Sequence, residues 1–386
     1  MERADLSQNL RRLRDAKKLS QGELAERAHI SRVAYGNIES GIASPKVDTL
    51  LRIAEALEAK LQDLLAPARM IKAVRFRALK KMTSREQILV EVARWLDDYS
   101  ELESMLHDHV VYSLAKLAKR TGREKAGPER ARVAAAEARR ALRIDEDGSI
   151  RDVCGLLEER GGIKVLPMRL ASDAFFGLSV AEKNDAPAIV VNTWDRISVE
   201  RWIFTAAHEL GHLLLHLGSF DVTQTEEDEE EEHEANQFAS HFLMPEAVFA
   251  TEWEEARGLP LIERVLKVKR IFRVSYRTVL YRLSEREEYG KSIWPTFQVA
   301  YVRKYGVSLL KTDEPAAIGP EEFQASFVEP RAADEPGRLS PDDFVEDRLS
   351  GLVRRAVDTQ RISVGRAAEI LSLDLATMRE RVASWV

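Results

Sequence analysis

The chain holds one cysteine in 386 residues, Cys154. An intramolecular disulfide and a cysteine-rich metal site are both excluded, so any metal must rest on imidazole and carboxylate ligands. Long apolar runs are scarce as well. No stretch approaches the roughly 18 residues that read as a bilayer span. The opening MERADLSQNLRRLRD has no apolar signal-peptide core. The expectation is a cytoplasmic protein with no membrane partner. What is present is enough apolar residue, 45%, to fill the cores of two or three domains. A formal net charge of −6 conceals an uneven spread: residues 1–81 carry 17 basic and 10 acidic side chains, whereas EEDEEEEHE at 226–234 is almost wholly acidic. A basic N-terminal module points to nucleic acid as a partner.

From Leu6 to Leu65 short amphipathic helices follow one another. LSQNLRRLRDAKKL spaces Leu6, Leu10 and Leu13 at helical intervals, and Ser20 with Glu23 forms a capping box for a second helix. Ser31 is placed to cap a third, SRVAYGNIES, which Gly41 ends in left-handed geometry. VDTLLRIAEAL and LQDLL supply a fourth and a fifth. Two short helices joined by a tight turn can lay one across the phosphates and the next into the major groove. The run SQGELAERAHISRVAYGNIESGIASPKVDTLLRIAEAL resembles the lambda-repressor-like (XRE) DNA-binding domain, whose extent is read as residues 1–66. The resemblance implies that Gln21, Ser31, Arg32, Tyr35 and Asn37 face duplex DNA. Two half-sites are needed for useful affinity, so a homodimer on a two-fold site is expected. The rival reading is a five-helix packing module that binds no DNA. Gly36, inside the third helix, costs about 1 kcal/mol against Ala.

Residues 67–130 read as a helical connector: RMIKAVRFRALKKM, then Thr83 or Ser84 capping REQILVEVARWLDDYSELESML, then KRTGREKAGPER as a joint before the helix ARVAAAEARRALRI. From Ile150 the texture changes. IRDVCGLLEERG reads as a helix stopped at Gly161-Gly162, and IKVLPMRL, AFFGLSVAE and PAIVVNT as three β-rich runs separated by turns such as Asn184-Asp185. Helices continue to Glu288. Pro315, Pro320, Pro330, Pro336 and Pro341 mark a loop-rich segment, and the tail from Phe344 is again helical, with Ser363 capping VGRAAEIL for packing or self-association. The fold class expected is α+β, mainly helical, in four parts: 1–66, 67–130, 131–290 and 291–386.

The chemistry centres on AAHELGHLLLH, 206–216. On a helix, positions i and i+4 share one face, so His208 and His212 can turn their imidazoles to one ion, and Glu209 sits about 100° round, where a general base for an activated water is wanted. A catalytic zinc needs a third protein ligand and an open fourth position. HEANQFASHFLMP supplies a second helix to pack on the first, with Glu234 in its first turn; Glu230 and Glu232 lie within the same reach, and spacing does not choose among them. His216, one turn further on, is a candidate for a contact near the metal, and His233 and His241 flank the second helix. Tyr276 and Arg277 are candidate donors to an oxyanion. The acidic run 226–232 reads as a solvated loop, or as a lure for a basic partner.

Together, IVVNT, RWIFTAAHELGHLLLH, HEANQFASHFLMP and VSYRTVLYRL resemble the ImmA/IrrE family of metallopeptidases over about residues 150–285. The resemblance implies a zincin-like fold, zinc (Zn2+) held by His208, His212 and an acidic residue placed at Glu234, and Glu209 as catalytic base. It also implies cleavage of a protein substrate, a repressor, to switch genes on under stress. AFFGLSVAE, if it edges the cleft, is suited to hold the substrate chain as an added strand. Two rivals accompany this zinc endopeptidase reading: a transcription regulator or antitoxin with a structural or sensory metal, and a peptidase whose N-terminal module recruits a protein instead of DNA.

Overall fold

The computed structural model describes the chain except residues 1–2, 18, 58, 60, 66–70, 72, 79–84, 146–147, 173, 182–184, 223–227, 311, 320–336, 346 and 386. The caps expected at Thr83 or Ser84, the turn residue Asn184, and Pro320, Pro330 and Pro336 lie outside the described residues. The fold is mainly helical with one small sheet. It divides into two compact units, one of residues 1–71 and 83–101, the other of 72–82 and 102–386. The stretch read as a connector is therefore shared between the units.

The first unit opens with helices α1 (Arg3–Ala16), α2 (Gln21–Arg27), α3 (Arg32–Glu39), α4 (Val47–Ala56) and α5 (Leu61–Leu65). Short helices of this length are marginal alone and hold because each buries an apolar face. Here Leu10, Leu24, Tyr35, Ile53 and Leu64 form the centre of one core. Local signals set the ends. Ser20 and Glu23 make the reciprocal capping box on α2, and the Ser31 hydroxyl accepts from Ala34 N at 3.1 Å on α3. Past α3, Gly41 takes φ 75°, the conformation a side chain would disfavour. Helix α6 (Arg85–Leu106) begins in this unit and ends in the other.

The second unit is built on a four-stranded sheet, β1 (Val74–Ala78), β2 (Lys164–Met168), β3 (Phe175–Val180) and β4 (Ala188–Asn192), in the order β1-β3-β4-β2. Three strands fall on the three β-rich runs. The fourth, β1, lies in VRFRA, inside the stretch expected to be helical, and pairs antiparallel with β3 so that Val74 faces Val180 and Arg75 faces Ser179. Strands β3 and β4 are antiparallel, and β2 and β4 parallel.

Across this sheet packs α10 (Val199–Leu215), capped by Ser198 and buried along nearly its whole length. It is flanked by α7 (Ala115–Thr121), α8 (Pro128–Ala141) and α11 (Glu229–Leu243). A buried helix end leaves carbonyls without intrahelical partners. Thr121 Oγ1 donates to Leu214 O at 2.6 Å, and Arg139 Nη1 to Phe242 O at 2.8 Å, so α7 and α8 satisfy the ends of α10 and α11. Gly211 lets α10 and α11 approach: a Cβ there would meet the Phe238 ring at 3.0 Å. The helix expected before β2 is a single turn, α9 (Val153–Gly155), that widens into a π turn over Leu156–Gly161. The acidic run is not wholly loop. Asp228 caps α11, and Glu229 to Glu232 form its first turn, where carboxylates are favoured by the helix dipole. The remaining helices include Leu261–Phe272, Tyr276–Ser284 and Ile293–Tyr305, and the tail forms Arg348–Asp358, Val364–Ile370 and Leu375–Ala383, with Ser363 capping the second of these.

Candidate metal centre and DNA-reading helix

Helix α10 carries His208 and His212 one turn apart, and His216 follows a turn later at its C-cap, all three buried. The Nε2 atoms of His208 and His212 lie 3.0 Å apart. Facing them from the first turn of α11 is Glu232, with Oε2 3.2 Å from His208 Nε2 and Oε1 3.0 Å from His212 Nε2. Among the described residues, His208, His212 and Glu232 form one group of three side chains able to share an ion. Burial opposes a charge on Glu232, and the two imidazole edges facing it offset that and lower its pKa. Burial likewise pushes the His212 pKa well below the usual imidazole value, so the ring stays neutral with a lone pair to offer.

Both imidazoles are held from behind. His208 Nδ1 lies 3.0 Å from Asn236 Oδ1, an acceptor only, so Nδ1 donates and Nε2 is left with its lone pair toward Glu232. His212 Nδ1 is 2.9 Å from His216 Nδ1, and His216 Nε2 is 2.9 Å from Glu234 Oε2. A carboxylate accepts, so His216 donates from Nε2 and accepts the His212 Nδ1–H at its own Nδ1, which again leaves His212 Nε2 with its lone pair. Such outer contacts fix the tautomer and ring angle of a metal-binding histidine. Two imidazole nitrogens and one carboxylate, each pre-oriented, are a donor set that fits zinc.

Glu234, expected to complete the set, faces elsewhere. Its carboxylate is bound by Arg130 through Nε at 2.7 Å and through Nη2, by Gly127 N at 3.0 Å, and by His216. Burial opposes its charge, and those donors still bring its pKa down to about 2. Residues 232 and 234 lie about 200° apart around a helix, so one cannot replace the other. Glu230 is exposed and is not in the group of three. Glu209 sits beside the pair as its position requires, and Ser179 Oγ on β3 donates to its Oε2 at 2.8 Å. Gly177 allows this closeness, since a Cβ there would stand 2.6 Å from Thr205 Cγ2 and 2.8 Å from Val190 O. His241 instead contacts Arg282, and burial with that cation brings its pKa down to about 3. His233 is exposed; Tyr276 is buried and stacked on Phe297. Asn236, Arg130 and Ser179 were not anticipated. Asn236 alone left a trace in the sequence, four residues after Glu232 and on its face.

In the first unit, Ser31 and Arg32 are exposed at the start of α3, and Asn37 and Gln21 are half-buried. Tyr35 is not on that surface. It is fully buried, and its hydroxyl donates to Glu39 Oε1 at 2.9 Å. Glu39 also receives Arg14 Nε at 2.7 Å and the Gln21 amide, so it ties α1, α2 and α3 together. Val33, 73% exposed beside Arg32, is an apolar side chain on the open face that sequence reasoning passed over.

A helix-turn-helix family model matches residues 10–64, and a model of the IrrE N-terminal-like domain, from the M78 peptidase family, matches residues 158–284. No curated protein matches the chain. The chain is thus a fusion of an XRE-type helix-turn-helix domain with an IrrE N-terminal-like peptidase-family domain. The first marks a DNA-binding regulator, and the second is metallopeptidase-like. No described helix is long and apolar enough to cross a membrane.

Proposed function

We propose that this protein is a zinc-dependent endopeptidase that binds duplex DNA as a homodimer and hydrolyses a peptide bond in a regulatory protein, a repressor. The observation that carries the reading is the convergence of His208, His212 and Glu232 with Glu209 one residue along the same helix. His208, His212 and Glu232 would hold the ion, which when bound polarises the scissile carbonyl and acidifies water. The proton work falls to Glu209. Its carboxylate, steadied at one oxygen by Ser179, takes a proton from water and returns it to the leaving amine. Asn236 and the His216–Glu234–Arg130 chain keep the two imidazoles in the tautomer the site needs. A purely structural metal site has no use for a base at Glu209, which disfavours the regulator-only reading.

Glu209→Gln tests this. The substitution keeps size and most hydrogen bonding, so zinc occupancy, folding and DNA binding should all persist. Cleavage of the target repressor should fall by at least roughly a hundredfold, the scale of general-base catalysis. If Glu209→Gln protein, still holding zinc, controls its genes as well as wild type does, the metal serves regulation and not proteolysis.

A further inference from the structure

Strand β1 belongs to the second unit but lies outside both family matches, at 74–78, between spans 10–64 and 158–284. Its place is next to the chemistry. It runs antiparallel along β3, with Arg75 opposite Ser179, the residue whose hydroxyl holds Glu209. Arg75 is buried, and its guanidinium reaches into the acidic first turn of α11, pairing with Glu231 through Nη1 and standing 3.3 Å from Glu232 Oε1 through Nη2. That same oxygen lies 3.0 Å from His212 Nε2. An extended chain on an open sheet edge, anchored by backbone pairing and by one side chain in a charged recess, is how a strand-adding peptide is bound.

The charges match this role. In sequence, residues 72–81, KAVRFRALKK, hold five basic and no acidic side chains, and the run that Arg75 meets, 228–232, is DEEEE. We propose that β1 is an internal stand-in for the substrate. The β3 edge beside the cluster is a track for an extended polypeptide with a basic side chain at the position of Arg75, and residues 74–78 compete for it in cis. The proposal rests on the peptidase reading for the identity of the site, but its test does not require cleavage.

The probe is a fluorescent peptide of sequence IKAVRFRALKK, offered to the full-length Glu209→Gln protein with zinc and without it. If β1 fills the track, the apparent affinity is reduced by the fraction of time the track is closed. Adding Arg75→Glu, which sets a carboxylate against Glu231 and Glu232, should release the strand and tighten peptide binding by about tenfold or more. The peptide with its own Arg in the Arg75 position changed to Glu should bind neither protein. A second measurement covers the case in which Arg75→Glu misfolds. In the protein with Arg75 intact, saturating peptide should speed hydrogen exchange at amides 74–78 and leave β4 unchanged. Equal affinity for both proteins, or unaltered exchange at 74–78, overturns the proposal and makes β1 a fixed part of the sheet. The peptidase reading fails separately: peptide that displaces β1 while zinc-loaded wild type cleaves no polypeptide leaves the track standing and removes the enzyme. Cleavage of a repressor that excess peptide does not slow does the reverse.

Discussion

Helices α10 and α3 both carry the residues that define their domains, and they do so under opposite constraints. Nearly every side chain of α10 is buried, and its imidazoles are held on both nitrogens, by α11 and by His216 at the helix's own end. On α3 the residues at its start, Arg32, Val33 and Ala34, point to solvent, and the buried remainder serves the core. A metal centre must be fixed before its ligand arrives, so it is over-determined by packing. A DNA-reading face must stay open, so its shape is set only from behind. Substitutions on α10 and its supports should therefore act on fold and metal together, whereas on α3 reading and stability should separate by residue.

The largest effects are expected at the two carboxylates of α11. Glu232→Gln should lower zinc occupancy, measured by metal analysis, by more than the roughly 10- to 100-fold that loss of a supporting contact costs. Glu234→Ala should act mainly on stability, because it leaves Arg130 buried without its partner, a loss of about 3–5 kcal/mol in denaturant titration. If Glu234→Ala abolishes metal binding in a protein of unchanged stability while Glu232→Gln does not, the ligand is Glu234 after all.

Next come the two residues of α3 that the sequence grouped together. Arg32→Ala should weaken specific DNA binding by about 1–3 kcal/mol if it reads a base, with little change in stability. Tyr35→Phe removes the hydroxyl bond to Glu39 and should lower stability by about 1 kcal/mol, with binding to cognate and random DNA changed alike. A cognate-specific loss with Tyr35→Phe would put this side chain back on the DNA face.

These pairs also mark where the sequence was legible. Caps, turn glycines and the i,i+4 histidines are local signals, and Ser20, Ser31, Ser198 and Ser363 start helices as their neighbours dictate. The roll of α11 about its axis is not local. Its buried arc is wide because α10 packs on one side and α8 on another, so Glu232 and Glu234 are both inward, one toward each neighbour. Tyr35 misled for the same reason: its role depends on Glu39, Arg14 and Gln21 meeting in space. The strand β1 was readable in part, since V-R-F-R-A alternates with a period of two. Flanking Leu, Lys and Ala favour helix, and the partner strand lies beyond residue 174, so only the sheet reveals which preference prevails.

The smallest effect falls on Gly36, which sits within α3 one turn after Arg32. Replacing it with Ala should stabilise the first unit by up to about 1 kcal/mol, because glycine in a helix interior retains excess backbone freedom in the unfolded chain. Space is available: an added Cβ would meet nothing closer than Gln21 Oε1 at 3.7 Å, an ordinary contact. Thermal unfolding of Gly36→Ala should therefore shift upward, and a downward shift would mean that α3 departs from regular helix there. The DNA measurement then divides the outcome. Position 36 shares the face of Arg32, so unchanged specific affinity means that the methyl group clears the groove and the glycine only costs stability. A gain in stability joined to a loss of specific binding means that the backbone itself approaches the DNA at Gly36, which would make the absence of a side chain part of the reading surface.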